Sequence, residues 1–366
     1  PMATPIWLDC DTGHDDAFAI LLAAHHPDVH LLGISTIYGN APLDKTTYNT
    51  RAILKAIGRE DIPVYPGAAH PFCRPVVYAP DIHGESGLDG TTVLPAPTVP
   101  VRTDRTAVEA MYAALISTPK GTAWIVPTGA LTTTALLLAT HPDLIEHIAG
   151  LSIMGGAVGN AFTNAPTPPD NRVGNITPWA EFNIYIDPES AKSVFSKPVL
   201  AAKTTLITLD LTHQFLATQE VQSSLLAGSS ASSSSSTSNT RKLFAEILAF
   251  FAKTYAEIFA ITSGPPVHDP LAVAAAFLPH LFFDSLDSTD AATKPVRYVV
   301  DVITEGAHSE AAESARAQSQ CGRTVVAPVA GGGPGVRIPR GVAKEEVWKV
   351  IGECLARGEA ALHAQN

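Results

Sequence analysis

Over the first 154 residues, short apolar runs alternate with amphipathic stretches, and that rhythm leaves few folds open. Ile6–Asp11 reads as a strand, Asp15–His26 as a helix, Val29–Tyr38 as a strand and Leu43–Ile57 as a helix. Ile62–Tyr65 then gives a short strand, Thr106–Ser117 a helix, Ala123–Pro127 a strand, Leu131–His141 a helix and Gly150–Met154 a strand. Strands separated by about 10–15 residues of helix join as βαβ units. The expected fold is therefore α/β, a single domain with a mainly parallel central sheet flanked by helices. In such sheets ligands bind at the carboxyl ends of the strands.

The domain is expected to span residues 4–366, interrupted by three loop insertions. Residues 161–172 are rich in Pro, Asn and Thr, residues 228–239 are mostly serine, and residues 331–335 are glycine-rich and expected to be flexible. Hydrophobic residues make up 46% of the chain and charged ones 16%, enough apolar matter for a sizeable core and too much for intrinsic disorder. The formal charge of −11 argues against a nucleic-acid backbone or an anionic membrane surface as partner. Cys10, Cys73, Cys321 and Cys354 lie far apart with no C-x-x-C pair, so they read as reduced core thiols. No apolar run approaches the length of a spanning helix, and a strand beginning near residue 5 leaves no room for a signal peptide. A cytoplasmic protein is expected.

At the end of the first strand stand Asp9, Asp11, Asp15 and Asp16, four carboxylates within eight residues. Period-two alternation predicts Asp9 and Asp11 on one face of the strand, with Gly13 permitting the turn into a helix that Asp15 and Asp16 open. Two carboxylates about 4 Å apart repel by roughly 4 kcal/mol at an effective dielectric of about 20. One helix N-terminus returns at most about 2 kcal/mol. A cation should therefore sit among them, and oxygen ligands without cysteine select a hard ion: Ca2+, Mg2+ or Mn2+.

Two enzyme families open this way. Asp9, Asp11 and Thr12 fit the D-x-D-x-T strand end of haloacid-dehalogenase-type Mg-dependent phosphatases, in which Asp9 would be the phospho-accepting nucleophile. The acidic pair that follows at once, Asp15-Asp16, fits the other family better. With Gly13 and Ala17 it completes a segment that resembles the D-x-D-x-G-x-D-D-A signature of the calcium-dependent nucleoside hydrolases. Further blocks follow in that family's order. Tyr38-Gly39-Asn40 with Asn49 resembles its second block. His83-Gly84 with Gly87-Leu88 resembles its H-G-x-x-G-L loop, with Asp89 where a glycine is more usual. Val126-Pro127-Thr128-Gly129-Ala130-Leu131-Thr132 resembles the A-T-G-P-L-T-N block, with Ala130 and Thr133 departing from it, and Met154-Gly155-Gly156 resembles the M-G-G strand end. Asn175, Thr177-Pro178 and Glu181-Phe182-Asn183 form the strongest downstream match, and Val267-His268-Asp269-Pro270 resembles V-H-D-P. Gly322-Arg323-Thr324-Val325-Val326 is similar to a C-terminal stretch of the family.

The resemblance implies hydrolysis of the N-glycosidic bond of ribonucleosides, as in nucleoside catabolism and salvage, with Ca2+ as cofactor and assembly as a homodimer or homotetramer. It implies cation ligands at Asp11, Asp16, Asp269 and the Thr128 carbonyl, with Asp9 and Asn40 in support. Asp11 would be the general base, and His268, whose ordinary pKa lies near neutrality, the acid for the departing base. Asp15, Asn183 and Asp269 would hold the 2′- and 3′-hydroxyls, and Asn175 and Glu181 the 5′-hydroxyl, with Glu181 and Asn183 alternating onto one face of an extended segment. Met154 would lie against the ribose, with His83 and Phe182 also lining the substrate. Tyr255 is a further candidate, for stacking on the base or sharing a proton relay. His268 suits purine and pyrimidine nucleosides alike, and uridine and inosine or xanthosine are the expected substrates.

Overall fold

The structure is a computed structural model that describes residues 3–165, 172–227, 238–286 and 296–365. Residues 166–171 and 228–237, half of one expected insertion and most of another, lie outside the described residues. Among the described residues there are eleven strands: β1 Thr4–Cys10, β2 Val29–Thr36, β3 Val64–Pro66, β4 Trp124–Pro127, β5 Gly150–Met154, β6 Thr204–Ile207, β7 Phe282–Phe283, β8 Arg297–Val302, β9 Thr324–Pro328, β10 Val336–Arg337 and β11 Gly341–Val342. Nine of them form one sheet in the order β3-β2-β1-β4-β5-β6-β10-β8-β9. Pairings from β3 through β10 are parallel, and only β8 pairs antiparallel with its two neighbours. The mainly parallel sheet read from the sequence is thus observed. The third expected insertion is the connection from β9 to β10, a short turn at Ala330–Gly332.

Alternation along β1 builds both faces. Ile6, Leu8 and Cys10 enter one apolar cluster with Phe18, Leu21, Phe244 and Leu271, whereas Trp7 enters another with Met111, Leu137, Ile153 and Val194. Helix Asp16–His25 is buried from Asp16 to Ala24 and apolar on every side, because it is covered by the sheet, by helix Asp269–Phe277 and by helix Lys344–Gln365. Both of the shorter helices begin on an aspartate. The most deeply packed helices of the fold therefore carry carboxylates at their N-termini. Elsewhere local signals set the boundaries: Thr106 caps helix Ala107–Ile116 in a reciprocal pair with Glu109.

Three expectations are corrected. β1 ends at Cys10, so Asp11 does not continue the alternation. It turns over the end of the sheet and accepts the Asn40 amide at 2.8 Å, while Asp9 stays on the face of Trp7. Residues 181–183 are not an extended segment. Glu181 caps the helix Phe182–Ile186, its carboxylate accepting the Asn183 and Ile184 amides. Cys73 is exposed, and only Cys10, Cys321 and Cys354 are buried; all four are free. Among the described residues no helix is long and apolar enough to cross a membrane.

Candidate active site

A cavity of about 500 Å3 opens where β1, β4 and β5 end. This is the crevice between β1 and β4, where the chain's strand order reverses direction, the position that parallel sheets leave open for ligands. Of the residues assigned a catalytic, cation-binding, substrate-binding or supporting role from the sequence, all line it except Asp9, Asp11 and Asp16.

Its floor is acidic. Carboxylate oxygens of Asp15, Asp16 and Asp269 lie within 4.8 Å of one another, on the N-termini of the two buried helices. Asp16 is held on both oxygens, by the Thr128 hydroxyl at 2.8 Å, the Gly13 amide at 2.9 Å and the Asn40 side-chain amide at 3.1 Å. Asp11 packs beside them, with Oδ2 on the Asn40 amide and Oδ1 buried without a hydrogen-bond partner among the described residues. Gly39 makes that approach possible: at φ +155° its absent Cβ would lie 2.2 Å from Asp11 Oδ2. Burial, then mutual repulsion, pushes these acids upward: Asp15 to about 7, Asp11 and Asp269 well above the usual carboxylate range, and Asp16 by burial in the same direction. Among the described residues no lysine or arginine pairs with any of them. An uncompensated buried cluster with an orphaned carboxylate oxygen fits a hard cation, and these residues can hold one.

Asp9 lies beneath this floor. Its carboxylate takes the Ser35 hydroxyl at 2.6 Å and the Thr134 hydroxyl at 3.3 Å, and its carbonyl accepts the Thr128 amide, which fixes the loop after β4. Burial lifts its pKa to about 7. It supports the loop that bears Thr128 and faces away from the cavity.

One wall presents amides and a carboxylate whose other valences are already used. Glu181 accepts three backbone amides, from Gly156, Asn183 and Ile184. Asn183 spends its NH2 on the Thr128 and Met154 carbonyls at 2.8 and 3.3 Å, leaving its oxygen for a ligand. Asn175 accepts the Phe182 amide at 2.8 Å, leaving its NH2. Fixed donors and acceptors of this kind suit a polyol.

The other wall is aromatic and carries two histidines, His268 and His83, each bonded to neighbouring side chains. Tyr255 on helix Asn239–Phe259 donates to or accepts from His268 Nε2 at 2.8 Å, and Thr212 does the same at Nδ1 at 2.6 Å. Tyr255 thus reaches the cavity. Burial pushes the His268 pKa well below the ordinary histidine value, which favours the neutral ring. His83 Nδ1 lies 3.1 Å from His14 Nδ1, and His14 Nε2 lies 2.8 Å from the Asp89 carbonyl. Burial pushes His14 down to about 4 and His83 well below 6.5. Gly13 is required by this contact, since a Cβ there would meet His83 Nδ1 at 2.5 Å. Asp89 ties the loop with its side chain on the Glu85 and Ser86 amides, a use that a glycine at this position could not serve.

Sequence reasoning missed Thr212, His14 and the rim formed by Tyr78, Ile176 and Ile258, which line or support the cavity while 36% to 46% exposed at the rim. The spacing Phe251, Tyr255, Ile258, Phe259 is a helical stripe that could have flagged the aromatic wall. Nothing in the sequence points to Thr212.

The sequence profile described as inosine-uridine preferring nucleoside hydrolase matches residues 6–349. The chain belongs to that family and is a hydrolase of N-glycosyl bonds. A uridine nucleosidase of Saccharomyces cerevisiae is 44% identical over 290 residues, 78% of each chain. A pyrimidine-specific ribonucleoside hydrolase, RihA, of Shewanella woodyi is 40% identical over 281 residues, 77% of this chain and 81% of that one. Among solved structures, a purine-preferring ribonucleoside hydrolase from Gardnerella vaginalis superposes with a TM-score of 0.77 at 25% identity, covering 97% of this chain and 99% of its own. The phosphatase alternative falls on the family match and on Asp9, which is sealed between Ser35 and Thr134 where no phosphoryl group reaches it.

Proposed function

We propose that this protein hydrolyses ribonucleosides to ribose and free base, with uridine and inosine-type nucleosides as substrates. The observation that carries the reading is one cavity with three walls of matched chemistry: uncompensated carboxylates, pre-committed polyol-binding groups and an aromatic wall with neutral imidazoles. The transition state at an anomeric carbon is oxocarbenium-like, so the protein must deliver water, hold the sugar and neutralise the base.

Ca2+ held by Asp11, Asp16, Asp269 and the Thr128 carbonyl would supply the Lewis acidity that makes water a nucleophile at neutral pH. Asp11, whose buried Oδ1 has no hydrogen-bond partner among the described residues, takes the proton. Asp15, Asn183 and Asp269 hold the 2′- and 3′-hydroxyls, Asn183 through its free oxygen. Asn175 donates through its NH2 to the 5′-hydroxyl, and Glu181 accepts from it. Met154 and Phe182 pack the sugar, and Asn40 steadies Asp11 and Asp16. His268 is the acid for the departing base, acting through or beside Tyr255, whose hydroxyl meets Nε2. Assembly as a homodimer or homotetramer belongs to the same reading, and a monomer in analytical ultracentrifugation overturns that part.

The test is release of base and reducing sugar from uridine, inosine, cytidine, adenosine and a ribonucleotide, before and after exhaustive chelation. Hydrolysis that chelation abolishes and Ca2+ restores is expected. Absence of release from every nucleoside overturns the reading.

A further inference from the structure

The helix Phe182–Ile186 is five residues long, and the groups proposed for the sugar hang on it. So short a helix leaves its end groups unpaired unless other parts of the chain meet them. At its N-terminal end the partners are the two groups proposed for the 5′-hydroxyl. Asn175 accepts the Phe182 amide, and Glu181 accepts the amides of Asn183 and Ile184. At the other end stand two side chains from far away in the sequence. The Tyr38 hydroxyl donates to the Ile186 carbonyl at 3.3 Å, and His308 Nε2 lies 2.8 Å from the Tyr185 carbonyl. A carbonyl can only accept, so His308 Nε2 carries a hydrogen whatever the charge of the ring.

His308 is fully buried, with its ring stacked on that of Tyr185 at a centroid distance of 4.2 Å. It belongs to the connection between β8 and β9, at the antiparallel edge of the sheet. The base of that connection is closed by the Ile303 amide on the Arg323 carbonyl at 3.0 Å and the Gly322 amide on the Ile303 carbonyl at 2.7 Å. Its far end packs against the same region. A Cβ at Gly322, where φ is +81°, would lie 2.8 Å from Tyr185 Cα, and one at Gly156 would lie 2.8 Å from the Thr324 hydroxyl. Gly156 supplies the third amide that holds Glu181.

We infer that His308 is a positioning residue for sugar recognition: through the Tyr185 carbonyl it sets where the helix sits, and so where Asn175 and Glu181 meet the 5′-hydroxyl. It is not among the residues that line the cavity, and it touches no substrate. The inference rests on the reading that gives the 5′-hydroxyl to Asn175 and Glu181, and deepens it by adding the β8–β9 connection to the site. The effect is selective. Carboxylates of the floor ride on two other helices, and Asn183 is tied separately to the Thr128 and Met154 carbonyls. A shift of the short helix therefore falls chiefly on the 5′ end of the sugar.

The test compares uridine with 5′-deoxyuridine, on the full chain with Ca2+. The parent's kcat/KM ratio should be at least about tenfold, the worth of a hydrogen bond to a charged group. His308→Phe keeps a ring on Tyr185 and deletes the donor. Its ratio should fall at least about fivefold, a modest share of the roughly 10²-fold that a misplacement of about 1 Å can cost. His308→Gln, whose side-chain nitrogen stands as many bonds from the backbone as Nε2, should recover most of the ratio. A merely structural role lowers Tm or the active fraction and hits both substrates equally, so an unchanged ratio in His308→Phe overturns the inference. Nitrogen-15 spectra of the histidine-labelled parent need no variant to fold: His308 should show a protonated Nε2, and a bare Nε2 overturns the inference. A parent ratio near one overturns the 5′-hydroxyl assignment and this inference with it, while base release from uridine keeps the hydrolase reading. Base release from neither nucleoside overturns that reading and the inference together.

Discussion

The carboxylate floor and the histidine wall of the cavity are both pressed toward neutrality by burial, and they respond in opposite senses. On the floor, loss of water raises the acids, Asp15 to about 7, and each neighbour's charge raises them further. On the wall the same loss lowers the imidazoles, His14 to about 4 and His83 and His268 well below the ordinary histidine value. A buried acid cluster recovers its charge when a cation arrives, because the cation replaces the missing hydration. A buried imidazole with no carboxylate against it has no such rescue and works as a neutral hydrogen-bonding group. The floor is thus built to receive charge, the wall to place protons.

The largest break in this picture comes from Asp11. Asp11→Ala should lower kcat by about 10²–10⁴-fold, the range of a general base, with a smaller change in KM. Turnover near that of the parent, measured as initial base release, would remove Asp11 from that role. Tyr255→Phe leaves the aromatic wall in place and cuts the His268 link, so a loss of about 10²-fold in kcat is expected. An effect confined to KM would make Tyr255 a stacking residue only.

Cation removal should separate floor from wall by pH. Asp15 titrates near 3.8 unfolded and near 7 in the cation-free fold, so the folded state holds protons that the unfolded chain has released. Stability from this term falls as pH rises between about 4 and 7. His14, pushed from 6.5 to about 4, works the other way: the unfolded chain binds the extra proton, and stability is lost as pH falls through about 6.5 to 4. A bound cation ionises the floor and cancels its penalty. Ca2+ at about 100 times its Kd should stabilise by about 2.7 kcal/mol, and the rise in Tm should be larger at pH 7.5 than at pH 5.5. Equal shifts at both values would mean that the floor is already ionised without the ion. The smallest effect is expected from Thr212→Val, which removes one hydroxyl from His268. A loss of about fivefold in kcat corresponds to a net hydrogen bond of about 1 kcal/mol.

The sheet was legible because parallel strands covered on both faces are nearly continuous apolar runs, as in Ile6-Trp7-Leu8 and Gly150–Met154. The acidic floor was legible because its first half is contiguous in sequence and Asp269 sits in a recognisable block. Residues 181–183 misled because Glu181 and Asn183 share a face in an extended segment, while the Asn183 and Ile184 amides gathered by the Glu181 carboxylate open a helix instead. Asp9 misled because alternation holds only while the strand lasts, and β1 stops one residue before Asp11. The His14–His83 contact could not be read at all: it joins a helix entrance to a loop 69 residues away, and neither sequence carries a trace of the other.

Tyr78, Ile176 and Ile258 contribute to the cavity from exposed positions at its mouth. Exposed residues of this kind can usually be exchanged within about 0.5 kcal/mol. The carboxylates, by contrast, ride on helices whose apolar flanks the whole core grips. Mutation is therefore cheap where a base would enter and expensive where its bond to the sugar would break. Descendants of this chain could drift among bases for a long time while keeping one reaction.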